Sequence, residues 1–248
     1  EEALEKGVGS VRKTFDYPIK KKKMKAADLE AMIENQLITT TSLEDLKDVD
    51  LIIEAVLEDM KVKQDIWKEL ENVCRSDVVF ATNTSALPIT EMASILNDPG
   101  RMIGLHFFNP AHRMKLLEII CAAKTSDETL ATSVSFARAI KKIPIVVNDG
   151  PGFYVTRQLI ALMGAAVYLT ADGVDSENIE AAMLDFGMPM GPATLADLTG
   201  IDIGYHVGKT FEKKLGKRYT VHPLTEAIYQ TGCYGRKTGA GDFDYSGD

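Results

Sequence analysis

The chain lacks most of the features that place a protein quickly. Its 248 residues hold three cysteines, Cys74, Cys121 and Cys233, too few and too far apart for a disulfide framework or a zinc site. That usage reads as a reducing compartment. No apolar run approaches the roughly 18 residues that a spanning helix needs, and the opening "EEALEKGVGS" reads as an acidic helix rather than a leader. The formal net charge of −8 argues against a general nucleic-acid binder. A glycine fingerprint for a dinucleotide is also missing. "GVGSVR" (7–12) has no strand before it and carries Arg12 where the third glycine belongs, and "GRKTGAG" near the C-terminus lacks both a preceding strand and the G-K-[ST] ending of a phosphate loop.

What is present alternates. From residue 1 to about 147, helix-like and strand-like pieces follow one another, the pattern of an α/β layered domain. "DVDLIIEAV", "VVFATNT", "RMIGLHFF", "MKLLEII" and "IPIVVND" read as strands, and "KVKQDIWKELENVC", "LPITEMASIL" and "TLATSVSFARAIKK" as helices. At "NDGPGF" (148–153) turn residues cluster. Beyond them "FYVTRQLIALMGAAVYLTADG", "DSENIEAAMLDFG" and "ATLADLTGIDIGYHVGKTFEKKLG" all carry helical spacing, with Gly173 and Gly187 as C-terminal stops. The expectation is therefore an α/β domain over 1–147 and an all-α domain over 148–248.

In a doubly wound sheet, ligands bind beyond the carboxyl ends of the strands. That rule selects Glu58 and Lys63 after the first strand, Asn83, Thr84 and Ser85 after the second, and His106 with Asn109 after the third. One histidine and one glutamate stand out inside "GLHFFNPAHRMKLLEIIC", because a carboxylate in so apolar a strand is costly unless paired. If His106 and Glu118 touch across the strands, the carboxylate fixes the imidazole tautomer and makes the ring a better proton acceptor. The alternative is a capped core histidine beside a glutamate that points to solvent. The lysines 20–23 likewise read either as a solvated face or as a local anion site.

"IIEAVLEDMKVKQDIWKELE", "NTSALPI", "GLHFFNP", "MKLLEII" and "NDGPGFYVTR", in that order and spacing, resemble the NAD-dependent L-3-hydroxyacyl-CoA dehydrogenases of fatty-acid β-oxidation. "FGMPMGPATLADLTGIDIG" and "GRKTGAGDFDY" extend the resemblance over essentially the whole chain. It implies a Rossmann-like doubly wound sheet followed by a helical domain that completes the substrate cleft and carries homodimerisation. It also implies NAD as cofactor, an acyl-CoA as substrate, and no metal, nucleic acid or transmembrane segment. By the same resemblance His106 is the catalytic base, Glu118 its orienting carboxylate, and Ser85 and Asn109 lie near the thioester and the nicotinamide. Glu58, Lys63 and Lys237 match cofactor positions, with Ala55, Asn83, Ser85 and Asn109 as further cofactor candidates; Ser85 and Thr156 are the substrate candidates, and Lys21 and Lys22 of the basic cluster are candidates for the CoA phosphates.

The resemblance starts beyond the family's opening strand, G-x-G-x-x-G turn, helix and acidic-ended second strand. Thr156 stands where monofunctional members usually carry asparagine, which looks more like the dehydrogenase part of multifunctional enzymes. The implied compartment is a mitochondrial matrix or peroxisome in a eukaryote and the cytoplasm in a bacterium. Two rivals stand beside this reading. One is a hydroxyacid dehydrogenase for small carboxylates, whose families use a catalytic lysine. The other is a non-catalytic relative or inactive fragment that keeps the fold as a binding or structural module.

Overall fold

The computed structural model describes residues 2–247. Its elements run α1 (Glu2–Thr14), α2 (Asp16–Lys20), α3 (Ala26–Gln36), β1 (Leu51–Glu54), α4 (Met60–Val73), β2 (Val79–Thr82), α5 (Ile89–Ala93), β3 (Met102–Phe107), β4 (Leu116–Cys121), α6 (Asp127–Ala139) and β5 (Ile143–Asn148). Five further stretches of chain follow as helices α7 (Val155–Ala171), α8 (Ser176–Phe186), α9 (Pro192–Thr199), α10 (Ile201–Leu215) and α11 (Pro223–Thr231), joined by short turns. The strands form one five-stranded mixed sheet in the order β1-β2-β3-β4-β5. "GVGSVR" lies inside α1, as its lack of a preceding strand implied.

The chain divides into two compact units. The first comprises 1–83, 91–119 and 124–145, and the second comprises 84–90, 120–123 and 146–248. Within the first unit β1, β2 and β3 are parallel, with Leu51 paired to Val79 and Thr82 to Gly104. Alternation along these strands separates two faces. Val79, Ala81, Ile103, Leu105, Leu117 and Ile119 form a buried cluster with Ala137, against which Leu130 and Val134 of α6 pack. On the other face Phe80 meets Trp67 of α4, ring centroids 5.0 Å apart. Helix α4 starts where the Asp59 carboxylate accepts a hydrogen bond from Val62 N at 2.9 Å. It buries Lys63, Trp67 and Leu70, one residue per turn along a single stripe. All four residues of β2 are buried, as befits a parallel strand covered on both faces.

The second unit is held by backbone contacts that leave no room for a side chain. At Gly152, with φ of +67°, an added Cβ would fall on the Phe211 ring, which is fully buried. The continuous helical spacing over 193–216 resolves into two helices, because Gly200 adopts φ of 104° and breaks the run between α9 and α10. Only the positive φ reveals this, since a glycine within helical spacing reads equally as a tolerated interior residue. Helix α9 begins at Gly191, where the buried Glu180 carboxylate of α8 accepts from Ala193 N at 2.8 Å and from the Thr194 hydroxyl at 2.6 Å.

Asp242 lies on the rim of a small cavity among α7, α8, α9 and α11. Burial, and next the Asp197 and Glu180 carboxylates, push it up to about 6 from an ordinary 3.8. A raised folded-state pKa adds stability that is complete below the unfolded value and lost as pH rises through the folded one. Asp242→Asn should therefore remove that loss. In thermal melts the gap between variant and wild type should widen from pH 4 to pH 7, and a constant gap would refute the assignment.

Candidate active site

His106 and Glu118 are partners. The imidazole Nδ1 lies 2.8 Å from Glu118 Oε2, with Glu118 fully buried and His106 8% exposed. The strand register explains the meeting. His106 sits two residues beyond Gly104 on the face that Phe80 shares with α4, and Glu118 comes to the same face while its neighbours Leu117 and Ile119 enter the opposite cluster. A carboxylate only accepts, so Nδ1 carries the proton, and Nε2 is the nitrogen that carries the lone pair in the neutral ring. The Phe108 ring flanks the imidazole with centroids 4.6 Å apart.

A second buried network lies at the carboxyl ends of β1 and β2. Glu54 Oε1 accepts from Lys63 Nζ at 2.6 Å and from Val56 N at 2.7 Å, and Oε2 accepts from the Thr82 hydroxyl at 2.7 Å. Lys63 is 1% exposed and lies 3.4 Å from the half-exposed carboxylate of Glu58. Glu54 and Thr82 escaped the sequence reading. The clue was available in "LIIEAV", where a glutamate interrupts an apolar strand just as Glu118 does. Asn83 N donates to Glu54 O at 2.8 Å, and Asn83 Oδ1 accepts from Phe107 N at 2.9 Å.

Asn109 is exposed at the start of the β3–β4 loop, joined to Pro110 by a cis peptide bond. Pro110 O accepts from Arg113 N and Met114 N, and Lys142 Nζ donates to the carbonyls of Ala111 and Met114. Lys21 and Lys22 are exposed after α2, with the Lys21 ammonium 6.0 Å from the Tyr17 ring centroid.

Ser85, Thr156 and Lys237 belong to the second unit. The Ser85 turn is closed by the Thr84 hydroxyl, which accepts from Ala86 N and Leu87 N, and the Asp149 carboxylate then accepts from Ile89 N at 3.1 Å and Thr90 N at 2.7 Å. Thr156 is partly buried in the first turn of α7. Lys237 pairs with Asp202 and faces the Tyr234 ring at 5.6 Å. The "GRKTGAGDFDY" segment wraps around the buried Asp197, whose carboxylate accepts from Asp242 N and Phe243 N at 2.8 and 2.9 Å. Asp197 was not singled out from sequence, since an aspartate inside a helix ordinarily signals a solvated face.

Among the described residues no group of histidine, cysteine, aspartate and glutamate is arranged to hold a metal, and no helix is long and apolar enough to cross a membrane. Burial pushes the Cys74 and Cys121 thiols up, away from the reactive thiolate. For a nicotinamide cofactor the donor set fits. The exposed turn from Ala55 to Glu58 and the amide of Asn83 lie beyond the carboxyl ends of the parallel strands β1 and β2, where α/β sheets bind such ligands.

Comparison with known proteins agrees with this geometry. Residues 1–150 match the family described as "3-hydroxyacyl-CoA dehydrogenase, NAD binding domain", and residues 152–245 match "3-hydroxyacyl-CoA dehydrogenase, C-terminal domain". The fatty acid oxidation complex subunit alpha of Shewanella baltica is 39% identical over 99% of this chain, which spans 35% of that protein. Thus the chain covers about a third of the length of the curated relatives it matches. Among solved structures, the (S)-3-hydroxybutyryl-CoA dehydrogenase PaaH1 of Ralstonia eutropha superposes with a TM-score of 0.94 at 35% identity, covering 99% of this chain and 87% of that one. The 3-hydroxybutyryl-CoA dehydrogenase of Escherichia coli K12 does so with 0.91 at 30% identity, covering 100% and 53%. With both family regions matched nearly end to end and the sheet and helices superposing throughout, this chain belongs to the 3-hydroxyacyl-CoA dehydrogenase family.

Proposed function

We propose that the chain interconverts (S)-3-hydroxyacyl-CoA and 3-oxoacyl-CoA with NAD+/NADH in fatty-acid oxidation. The observation that carries the proposal is the 2.8 Å bond from His106 to the buried Glu118, which leaves Nε2 as a placed proton acceptor. In the oxidative direction Nε2 takes the C3 hydroxyl proton, and the resulting imidazolium is offset by the Glu118 carboxylate. In the reductive direction the same proton returns to the C3 oxygen. NAD, when bound, supplies the acceptor for the hydride that leaves C3.

Ser85, Asn109 and Thr156 supply hydrogen bonds toward the substrate oxygens, and Ser85 and Asn109 also meet the nicotinamide. Ala55, Glu58, Asn83 and Lys237 face the cofactor. Lys63 acts on it through the 55–58 turn, because its ammonium is buried in the pair with Glu54. The exposed Lys21 and Lys22 take the phosphates of CoA. The second unit carries homodimerisation, for which the exposed Tyr168, Leu169, Leu184 and Phe186 supply apolar surface. The bacterial relatives favour the cytoplasm.

The test is acetoacetyl-CoA-dependent NADH oxidation by the intact protein, with free 3-oxo acids as controls and light scattering on the same sample. Turnover confined to the thioester is expected, with a Michaelis constant that rises with salt and a mass twice that of the protomer. No turnover, or equal turnover of the free acids, would sink the assignment.

A further inference from the structure

The loop that joins the strand of His106 to the strand of Glu118 is not held by burial. Residues 109–115 are exposed without a break, and a segment with few buried apolar contacts opens readily unless hydrogen bonds close it. Within the loop Pro110 O accepts from Arg113 N at 2.9 Å and from Met114 N at 3.1 Å, which makes one helical turn starting directly after Asn109. A turn of that length cannot satisfy its later carbonyls internally, so donors must come from elsewhere in the chain.

Lys142 brings such a donor. Its ammonium donates to Ala111 O and, at 2.6 Å, to Met114 O. Hydrogen bonds from a charged group are stronger than neutral ones. Backbone geometry aims the side chain. Helix α6 ends in a left-handed residue, Lys141 with φ of 60°, and Lys141 N donates to Arg138 O while Lys142 N donates to Ala137 O, each at 2.9 Å. Glycine commonly fills that position, so a lysine there is strained. One residue on, Ile143 N donates to Lys115 O at 2.8 Å. The Lys142 backbone is thus fixed between the end of α6 and the residue that precedes β4, and its side chain reaches the loop between β3 and β4.

We propose that Lys142 is a positioning residue for Asn109. Its ammonium closes the 110–114 turn from outside and so fixes the residue from which that turn starts. The assignment rests on Asn109 meeting the substrate, and it goes beyond that contact by naming what holds the amide in place. Lys142 itself touches neither substrate nor cofactor in this role, since it acts through two backbone carbonyls of the loop. Misplacement of a group by about 1 Å, through a change remote from the chemistry, costs on the order of 100-fold in rate. Loosening the turn beside Asn109 is expected to cost roughly 10- to 100-fold in kcat/KM for the thioester.

The experiment compares wild type, Lys142→Met, Lys142→Arg, Asn109→Ala and the double variant Asn109→Ala/Lys142→Met in the intact protein. Acetoacetyl-CoA reduction is read at saturating NADH, and hydrogen exchange at the Arg113 and Met114 amides reports the turn directly. Lys142→Met is expected to lose kcat/KM by the factor above and to exchange both amides faster. Lys142→Arg keeps charged donors and is expected to restore slow exchange and most of the turnover. If Lys142 acts through Asn109 the two losses do not multiply, and the double variant stays within about twofold of Asn109→Ala alone. A residue that only stabilised the fold would give multiplying losses instead. Unchanged turnover or unchanged exchange in Lys142→Met, losses that multiply, or an arginine variant as slow as the methionine one would each overturn the proposal. If wild type turns nothing over although Lys142→Met speeds the exchange, the dehydrogenase reading fails and the role at Asn109 falls with it.

Discussion

Replacing His106 with glutamine is expected to lower acetoacetyl-CoA reduction by roughly 10²–10⁴-fold, the usual contribution of a placed acid or base. The amide can still donate to the buried Glu118, so the carboxylate is not stranded and stability should change by no more than about 1–2 kcal/mol. That separation is the informative part. A histidine that merely capped a core glutamate would show the small stability change without the rate loss. Steady-state turnover and thermal unfolding on the same preparation decide between them, and turnover within threefold of wild type would end the role of His106 as base. NADH affinity should survive, since the ring meets the hydroxyl rather than the dinucleotide.

The second large effect is on stability. Lys63→Met removes the ammonium that lies 2.6 Å from Glu54 Oε1, with both side chains at 2% exposure or less. Removing one partner of a buried pair leaves an uncompensated charge and costs about 3–5 kcal/mol. The remaining bonds from Val56 N and the Thr82 hydroxyl hold the cost toward the lower end. Glu58 adds little, because its carboxylate is 42% exposed and screened by solvent. The double variant Glu54→Leu/Lys63→Met should recover most of the loss, since apolar replacement of a whole buried pair is often neutral. Urea unfolding measures both. A single variant that loses less than about 1 kcal/mol would show that the pair is not structural. A stable double variant with impaired NADH binding would place the role of Lys63 at the 55–58 turn.

The two effects share an origin in the sheet. Glu54 and Glu118 are the glutamates that interrupt strands otherwise apolar enough to be buried. In each case the strand tolerates the carboxylate because a neighbouring element delivers a cationic or N–H donor to it. One pair ties the strand ends together and the other fixes the orientation of the His106 ring. This makes the difference between them chemical rather than architectural, since Lys63 is 1% exposed whereas the His106 ring keeps an edge open.

Local patterning determined a good deal by itself. Periodicity of two and of 3.6 placed five strands and the flanking helices, because burying apolar stripes leaves few other ways to satisfy the backbone. The separation of His106 and Glu118, with a turn between, allowed a cross-strand pair, while a capped core histidine beside a solvent-facing glutamate fitted the same spacing. What patterning left out was decided by backbone geometry and by partners distant in sequence. The break at Gly200 depends on a positive φ that helical spacing does not encode. Lys63 reads from sequence as a ligand contact, and only the fold shows that α4 carries it under the 55–58 turn into a buried pair with Glu54. Asp197 and Glu180 become anchors only when remote backbone N–H groups are brought to them. Asn83 meets Phe107 only because β2 stops short of β3. Sequence alone thus determined the elements and singled out His106 and Glu118 as candidate partners, since both follow from which side chains interrupt an apolar face. Tertiary structure alone decided which polar groups are buried and what satisfies them, since that depends on donors and acceptors 9 to 46 positions apart arriving within 3 Å of one another.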